Sequence, residues 1–272
     1  MEEALQAYEK AHARGLSSPS LESDLGDLEL DLGNAEKAEE AYRRALQKKP
    51  ADVRALLGLG LSAYRRGKND AALEAFQQAR QEAPQTELIR YELEAMKGLQ
   101  GTGSDLVRWF HTPDKGASFC VPAGWATYEL DDEKGVYQVL FTQGPLELPS
   151  TDFETGLLYI RYDTASQRLA RVSGRPKPEE VAQAFLEQAF EHLSDPLKVA
   201  FIPSSIGRRG NDRYLTGGYA HTEGERRRIV RTLSYYQPQR DRLHVITVRS
   251  TGAGQEEWAP YAQACFDTAW FE

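Results

Sequence analysis

The chain has 272 residues, 40% hydrophobic and 27% charged, the composition of an ordinary globular protein of about two domains. Its 41 acidic residues outnumber 33 basic ones, a net charge of −8 that argues against a general nucleic-acid or anionic-membrane binder. Two cysteines, Cys120 and Cys265, are too few for a disulfide scaffold and lack metal-ligand spacing; two partly buried free thiols are expected, with a single long-range disulfide as the alternative.

No apolar run approaches the ~20 residues a membrane span needs. Met1 leads directly into a charged amphipathic segment, with no signal-peptide pattern. That pattern points to the cytoplasm, and a location outside it is the alternative if the N-terminus is truncated.

Two stretches overlay at a period of 34. Gly26, Gly33, Ala38, Tyr42, Ala45 and Pro50 are answered by Gly60, Gly67, Ala72, Phe76, Ala79 and Pro84. The spacing predicts helices over 20–31, 35–48, 52–66 and 70–82, broken at Gly33, Pro50 and Gly67. Upstream, Ala4, Tyr8 and Ala11 continue the second-helix pattern; downstream, residues 86–97 read as a lone first helix with Leu88, Leu93 and Met96. The partner of the first helix would precede Met1, so a cut version of a longer protein is expected, and an in-frame upstream extension is its test. Gly60 and Ala72 lie where paired helices come close, while Tyr42 and Phe76 fill the larger gaps.

A 34-residue period with small residues at these places and a closing proline resembles the tetratricopeptide repeat. The resemblance implies stacked helical hairpins that hold partners rather than transform substrates. It places Arg54, Leu57, Leu61, Tyr64 and Arg65 on a concave face, with Leu88 and Tyr91 from the next helix and Ser23, Asp27, Leu30 and Asp31 from the one before. The alternative is that Leu57 and Leu61 pack on a neighbouring helix or on the second domain. The lysine-asparagine clamp by which some such repeats grip chaperone C-termini is absent; Ser23, Asp27, Gly58, Leu88 and Glu92 stand at the matching positions.

Residues 1–99 form the expected repeat domain, 100–116 a linker marked by Gly98, Gly101 and Gly103, and 117–272 a second domain. There the period changes to two. Strands are expected at Phe119–Pro122, Val136–Thr142, Leu157–Tyr162, 198–202, 213–221, 228–236 and 242–250, the last two as a hairpin. Amphipathic helices are expected at 178–193 and 255–270, and Asp131, Asp132 and Glu133 read as a solvated hairpin turn. Strands in runs favour an α+β fold with an antiparallel sheet flanked by helices. The opening Phe119-x-Val-Pro-x-Gly-Trp125, the central helix, the Tyr235-Tyr236 and Leu243–Thr247 strands and the aromatic-ended last helix resemble the PsbP-like fold. That resemblance implies a protein-binding or assembly role.

Recognisable chemistry is sparse. The histidines (12, 111, 192, 221 and 244) form no HExxH motif, and whether His221 and His244 meet is open at this stage. No GxSxG elbow, phosphate loop or GxGxxG turn occurs. Gly217-Gly218 inside a strand marks a bulge or close packing. Arg226, Arg227 and Arg228, with Arg231 and the loop residues Arg208, Arg209 and Arg213, are either a patch for an anionic partner or a rim paired with Asp212, Glu223 and Glu225. The expectation is a non-catalytic adaptor or assembly factor that binds a protein or peptide, with no nucleic acid, metal or cofactor. A small-molecule or lipid carrier with a sheet–helix cavity, or an enzyme with a dispersed site in the second domain, are the alternatives.

Overall fold

A computed structural model describes residues 2–100, 104–130, 135–143, 155–163, 165, 199–209, 212–223, 226–237, 239–251 and 255–272. The chain opens with α1 (Glu2–Ala13), α2 (Pro19–Asp31), α3 (Ala35–Lys48), α4 (Val53–Arg65), α5 (Asn69–Glu82) and α6 (Glu87–Leu99). Ser18 caps α2 by accepting the Leu21 amide at 3.1 Å, with Pro19 in the first turn, where its missing N–H costs nothing. Gly33 and Gly67, one period apart, turn the chain at φ +83° and +72°. Nothing lies within 4 Å of a Cβ added at Gly67, so it is needed for its backbone conformation, not for space.

The helices pack through aligned small residues. Ala38, Ala45, Ala72 and Ala79 are fully buried, as are Tyr42 and Phe76. A Cβ on Gly26 would sit 2.6 Å from Tyr42, and one on Gly60 would sit 2.7 Å from Phe76, the same contact one period later. A Cβ on Gly58 would overlap the Tyr42 ring outright. The period of 34 is thus a period of aromatic rings seated on glycines.

The second region contains β1 (Val107–His111), β2 (Ala117–Pro122), β3 (Ala126–Leu130), β4 (Val136–Thr142), β5 (Gly156–Asp163), β6 (Val199–Arg209), β7 (Asp212–Glu223), β8 (Arg226–Gln237), β9 (Arg242–Thr251), α7 (Gln255–Thr268) and β10 (Trp270–Phe271). Seven strands form an antiparallel sheet in the order β3-β4-β5-β9-β8-β7-β6, and β1-β2-β10 form a smaller one. The expected helix at 178–193 and the turn at Asp131–Glu133 lie outside the described residues. Gly218 lies against the Val230 carbonyl of the neighbouring strand, opposite a register shift in β6 between Ile202 and Ser205. The expected close packing at Gly217-Gly218 is therefore present.

The expected linker differs. Residues 107–111 pair with β2 from Val107↔Pro122 to His111↔Ser118 instead of forming a free connection. The turn from α6 into β1 is held tightly: Trp109 Nε1 donates to the Ala95 carbonyl at 2.9 Å, and a Cβ on Gly98 would meet the Trp109 ring at 3.0 Å. One face of α6 joins the repeats, with Leu93 and Met96 against Phe76. Its other face joins the second region, where Tyr91 and Ala95 belong to the core built on Phe119, Phe141, Tyr159, Trp258 and Tyr261. The rings of Tyr91 and Tyr261 meet edge-on at 5.6 Å. Helical repeats and mixed sheet therefore share a core through α6.

Candidate functional site: a cavity between the repeats and the mixed sheet

The first helices α2, α4 and α6 line up because Gly26, Gly58 and Gly60 let the second helices approach them closely. Their free faces look towards α7, β7 and β8 and enclose a cavity of about 700 Å³. Of the eleven residues expected on the concave face, Asp27, Leu30, Asp31, Arg54, Leu57, Leu61, Arg65 and Leu88 line this one cavity. The facing wall is Tyr214 and Thr216 of β7, Leu233 of β8, and Gln263, Phe266 and Asp267 of α7. Tyr64 instead donates its hydroxyl to the Thr268 carbonyl at 2.7 Å and lines a neighbouring cleft of about 520 Å³ with Trp109, His111 and Trp270. Tyr91 is buried against Tyr261, as the core described above requires. Ser23, expected at the groove edge, is buried as well.

Ionic groups at the cavity are partly matched. Arg54 bonds Asp24 at 2.6 Å and Asp27 through two nitrogens, and Asp27 also accepts the Tyr42 hydroxyl. Arg65 donates to the Leu30 carbonyl at 2.9 Å. Burial raises the Asp31 carboxyl above its ordinary range; Arg65 opposes the shift, and Asp27 and Asp267 add to it. Glu92 of α6 is only 1% exposed; no N–H or hydroxyl donor reaches its carboxyl oxygens, and its hydrogen-bonding neighbour is the Asp267 carboxyl, which pairs with it when one of the two is protonated. Burial, with Asp267 nearby, pushes Glu92 well above the usual carboxylate range. Glu92 stands at one of the positions that carry the clamp in other such repeats, but a glutamate on an amphipathic helix reads as solvent-facing, so its burial is not visible in the sequence.

The arginines do not gather in one place. Arg208, Arg209 and Arg213 lie on the paired ends of β6 and β7, not in a loop, with Arg208↔Arg213 in register. Arg226, Arg227 and Arg228 pair with Glu223, Thr222 and His221 at the other end of β7, nine residues from Arg213, roughly 30 Å along the strand. Arg227 is exposed and Arg228 half-buried, and consecutive strand residues point to opposite faces. The candidate patch is therefore divided.

His221 and His244 do not meet either. His221 is level with Arg228 and His244 with Tyr235, seven residues along β8, roughly 23 Å. His244 is fully buried, with Nδ1 2.8 Å from the Tyr159 hydroxyl and Nε2 3.1 Å from Gln237 Oε1. Burial, aided by Arg242 and Arg161, pushes its pKa down to about 3, so it is a neutral part of the core. Cys120 and Cys265 are free, buried thiols. Among the described residues no cluster of His, Cys, Asp or Glu could hold a metal, and no helix is long and apolar enough to cross a membrane.

The 34-residue hairpins, their positive-φ glycines and the rings seated on glycine decide the first comparison. Residues 23–86 match the Tetratricopeptide repeat family. The cavity lies against the free faces of α2 and α4, which fall in the matched segment, and of α6 just beyond it, and is roofed by the chain's own second region. That region is similar in fold to cyanobacterial PsbP (CyanoP) of Synechocystis sp. PCC 6803, at 15% identity and a TM-score of 0.45, over 63% of this chain and 96% of that one. The Ran-binding protein Mog1p of Saccharomyces cerevisiae is similar at 11% identity and a TM-score of 0.41, over 61% and 91% of the two chains. LpqN of Mycobacterium tuberculosis, involved in cell envelope biogenesis, is similar at 12% identity and a TM-score of 0.33, over 60% and 88%. These likenesses concern the fold alone. No curated protein matches the chain.

Proposed function

We propose that this protein is a non-catalytic adaptor or assembly factor that holds a segment of a partner protein between its tetratricopeptide helices and its mixed sheet. One observation carries the reading: eight of the eleven residues that the repeat resemblance assigns to the concave face converge on a single cavity whose opposite wall is the second region. Its volume, about 700 Å³, falls in the range of ligand-holding pockets, roughly 300–1,000 Å³. The space suits a short partner segment with one or two inserted side chains. Leu57, Leu61 and Leu88 offer apolar contact and the charged groups offer orientation.

Panning a random-peptide display library on the full chain tests the proposal. Enriched peptides should bind the wild-type protein and lose binding to Leu57→Trp, which fills the cavity without adding charge. Arg227→Ala should retain them. A library that yields no enrichment, or peptides that ignore Leu57→Trp, would defeat the adaptor reading.

A further inference from the structure

The unmatched charge in the cavity says which side chain it receives. We propose that the cavity selects a partner segment carrying a lysine or arginine, whose cationic tip pairs with Glu92 at the seam between α6 and α7. The inference rests on the adaptor reading of this cavity and specifies the chemistry of its occupant.

Four acids line the space, Asp27, Asp31, Glu92 and Asp267, against two bases, Arg54 and Arg65. Arg54 is taken up by Asp24 and Asp27 on α2. Arg65 is engaged by the Leu30 carbonyl through one nitrogen, with its Nε unpartnered, and acts on both Asp31 and Glu92 without offsetting the burial of either. Asp267 accepts the Gln263 amide at 3.0 Å on its own helix. No N–H or hydroxyl donor reaches Glu92, whose hydrogen-bonding neighbour is the Asp267 carboxyl. Two adjacent carboxyls, one of them buried, that must share a proton are costly to keep together, so a site that retains them has an interaction to gain from a cation. In the free protein a proton neutralises Glu92, as its raised proton affinity indicates. An ammonium or guanidinium brought in on an apolar stem would displace that proton and supply both charge and hydrogen-bond donors. Leu57, Leu61 and Leu88 on the same wall suit the aliphatic stem of such a side chain. A carboxylate-bearing segment would meet the acid excess and be rejected.

The test uses the full chain and three blocked pentapeptides, Ala-Ala-X-Ala-Ala, with X lysine, norleucine or glutamate. NMR titration gives their affinities. The lysine peptide should bind at least about tenfold more tightly than the norleucine peptide, the gain of a charge-assisted bond. The glutamate peptide should bind most weakly. Glu92→Gln, nearly isosteric with the protonated acid, should reduce the lysine preference to less than about threefold and leave the norleucine peptide unchanged. Calorimetry in two buffers of different ionisation enthalpy should show proton release on binding the lysine peptide to the wild-type protein and none with Glu92→Gln.

Lysine and norleucine peptides that bind equally, with shifts at cavity residues, would overturn the cation preference and leave the adaptor reading intact. A lysine preference that survives Glu92→Gln would also overturn the assignment, because the chain's general acidity then explains it. Loss of binding to every peptide in Leu57→Trp, with the lysine preference intact in the wild-type protein, supports both readings together.

Discussion

Gly58→Ala adds one carbon and should cost far more than its size suggests. Tyr42 is fully buried, its hydroxyl held by Asp27, and its ring lies against both Gly26 of α2 and Gly58 of α4. A Cβ at Gly58 overlaps the ring, and the ring also lies close against the Gly26 backbone of α2, where an added Cβ would come within 2.6 Å of Cε1, so it has little room to shift. Relief requires separating the helices or expelling the ring. Overpacking costs ~1–3 kcal/mol, and losing a buried aromatic contact costs about 3–5 kcal/mol. The better helix propensity of alanine returns only about 1 kcal/mol. The expected net loss is about 2 kcal/mol or more, read as a fall in the urea midpoint. In a Tyr42→Leu background the clashing atoms are gone, and Gly58→Ala should stabilise by about 1 kcal/mol. The resulting coupling of about 3 kcal/mol is large for a pair in contact. A Gly58→Ala protein that is more stable than wild type, or a change of equal sign in both backgrounds, would refute this account of the helix stacking.

Three further outcomes follow from buried polar groups. His244 has a pKa of about 3 in the folded protein against 6.5 unfolded, so its stabilisation is complete above pH 6.5 and declines as pH falls towards 3, by about 2 kcal/mol at pH 5; urea midpoints across that range should show the slope, reduced in His244→Gln. Glu92 is shifted the other way, so the folded chain holds a proton that the unfolded chain releases above pH 4.5, and stability falls as pH rises from there; Glu92→Gln should therefore gain stability relative to wild type as pH increases towards 8, in the same assay. Tyr64→Phe removes the bond to the Thr268 carbonyl and should cost ~0.5–1.5 kcal/mol, with faster amide exchange at the C-terminal end of α7.

The sequence was most informative where one element decides its own form. α3 and β4 have the residue bounds that periodicity predicts, 35–48 and 136–142, because glycines, prolines and alternation act locally. The five-residue strands β1 and β3 were not predicted. Neither shows a two-residue alternation strong enough to stand out, and β1 exists because β2 pairs with it. Arg54, Leu57, Leu61 and Arg65 of α4 line the cavity from the positions their place in the repeat suggests, while Tyr64 turns to the neighbouring cleft. The burial of Tyr91 and Glu92 was not legible, because what covers them is α7, more than 160 residues later in the chain. A helix with two buried faces looks, in sequence, like a helix with one.

The shared core can be observed directly. In the full-length protein in solution, the ring protons of Tyr91 on α6 and Tyr261 on α7, whose centroids are 5.6 Å apart, should give a nuclear Overhauser effect, and backbone relaxation should report one tumbling time for helices and sheet. Absence of that cross-peak, with two distinct tumbling times, would mean that the repeats are not roofed by the second region and that the cavity does not exist as a site.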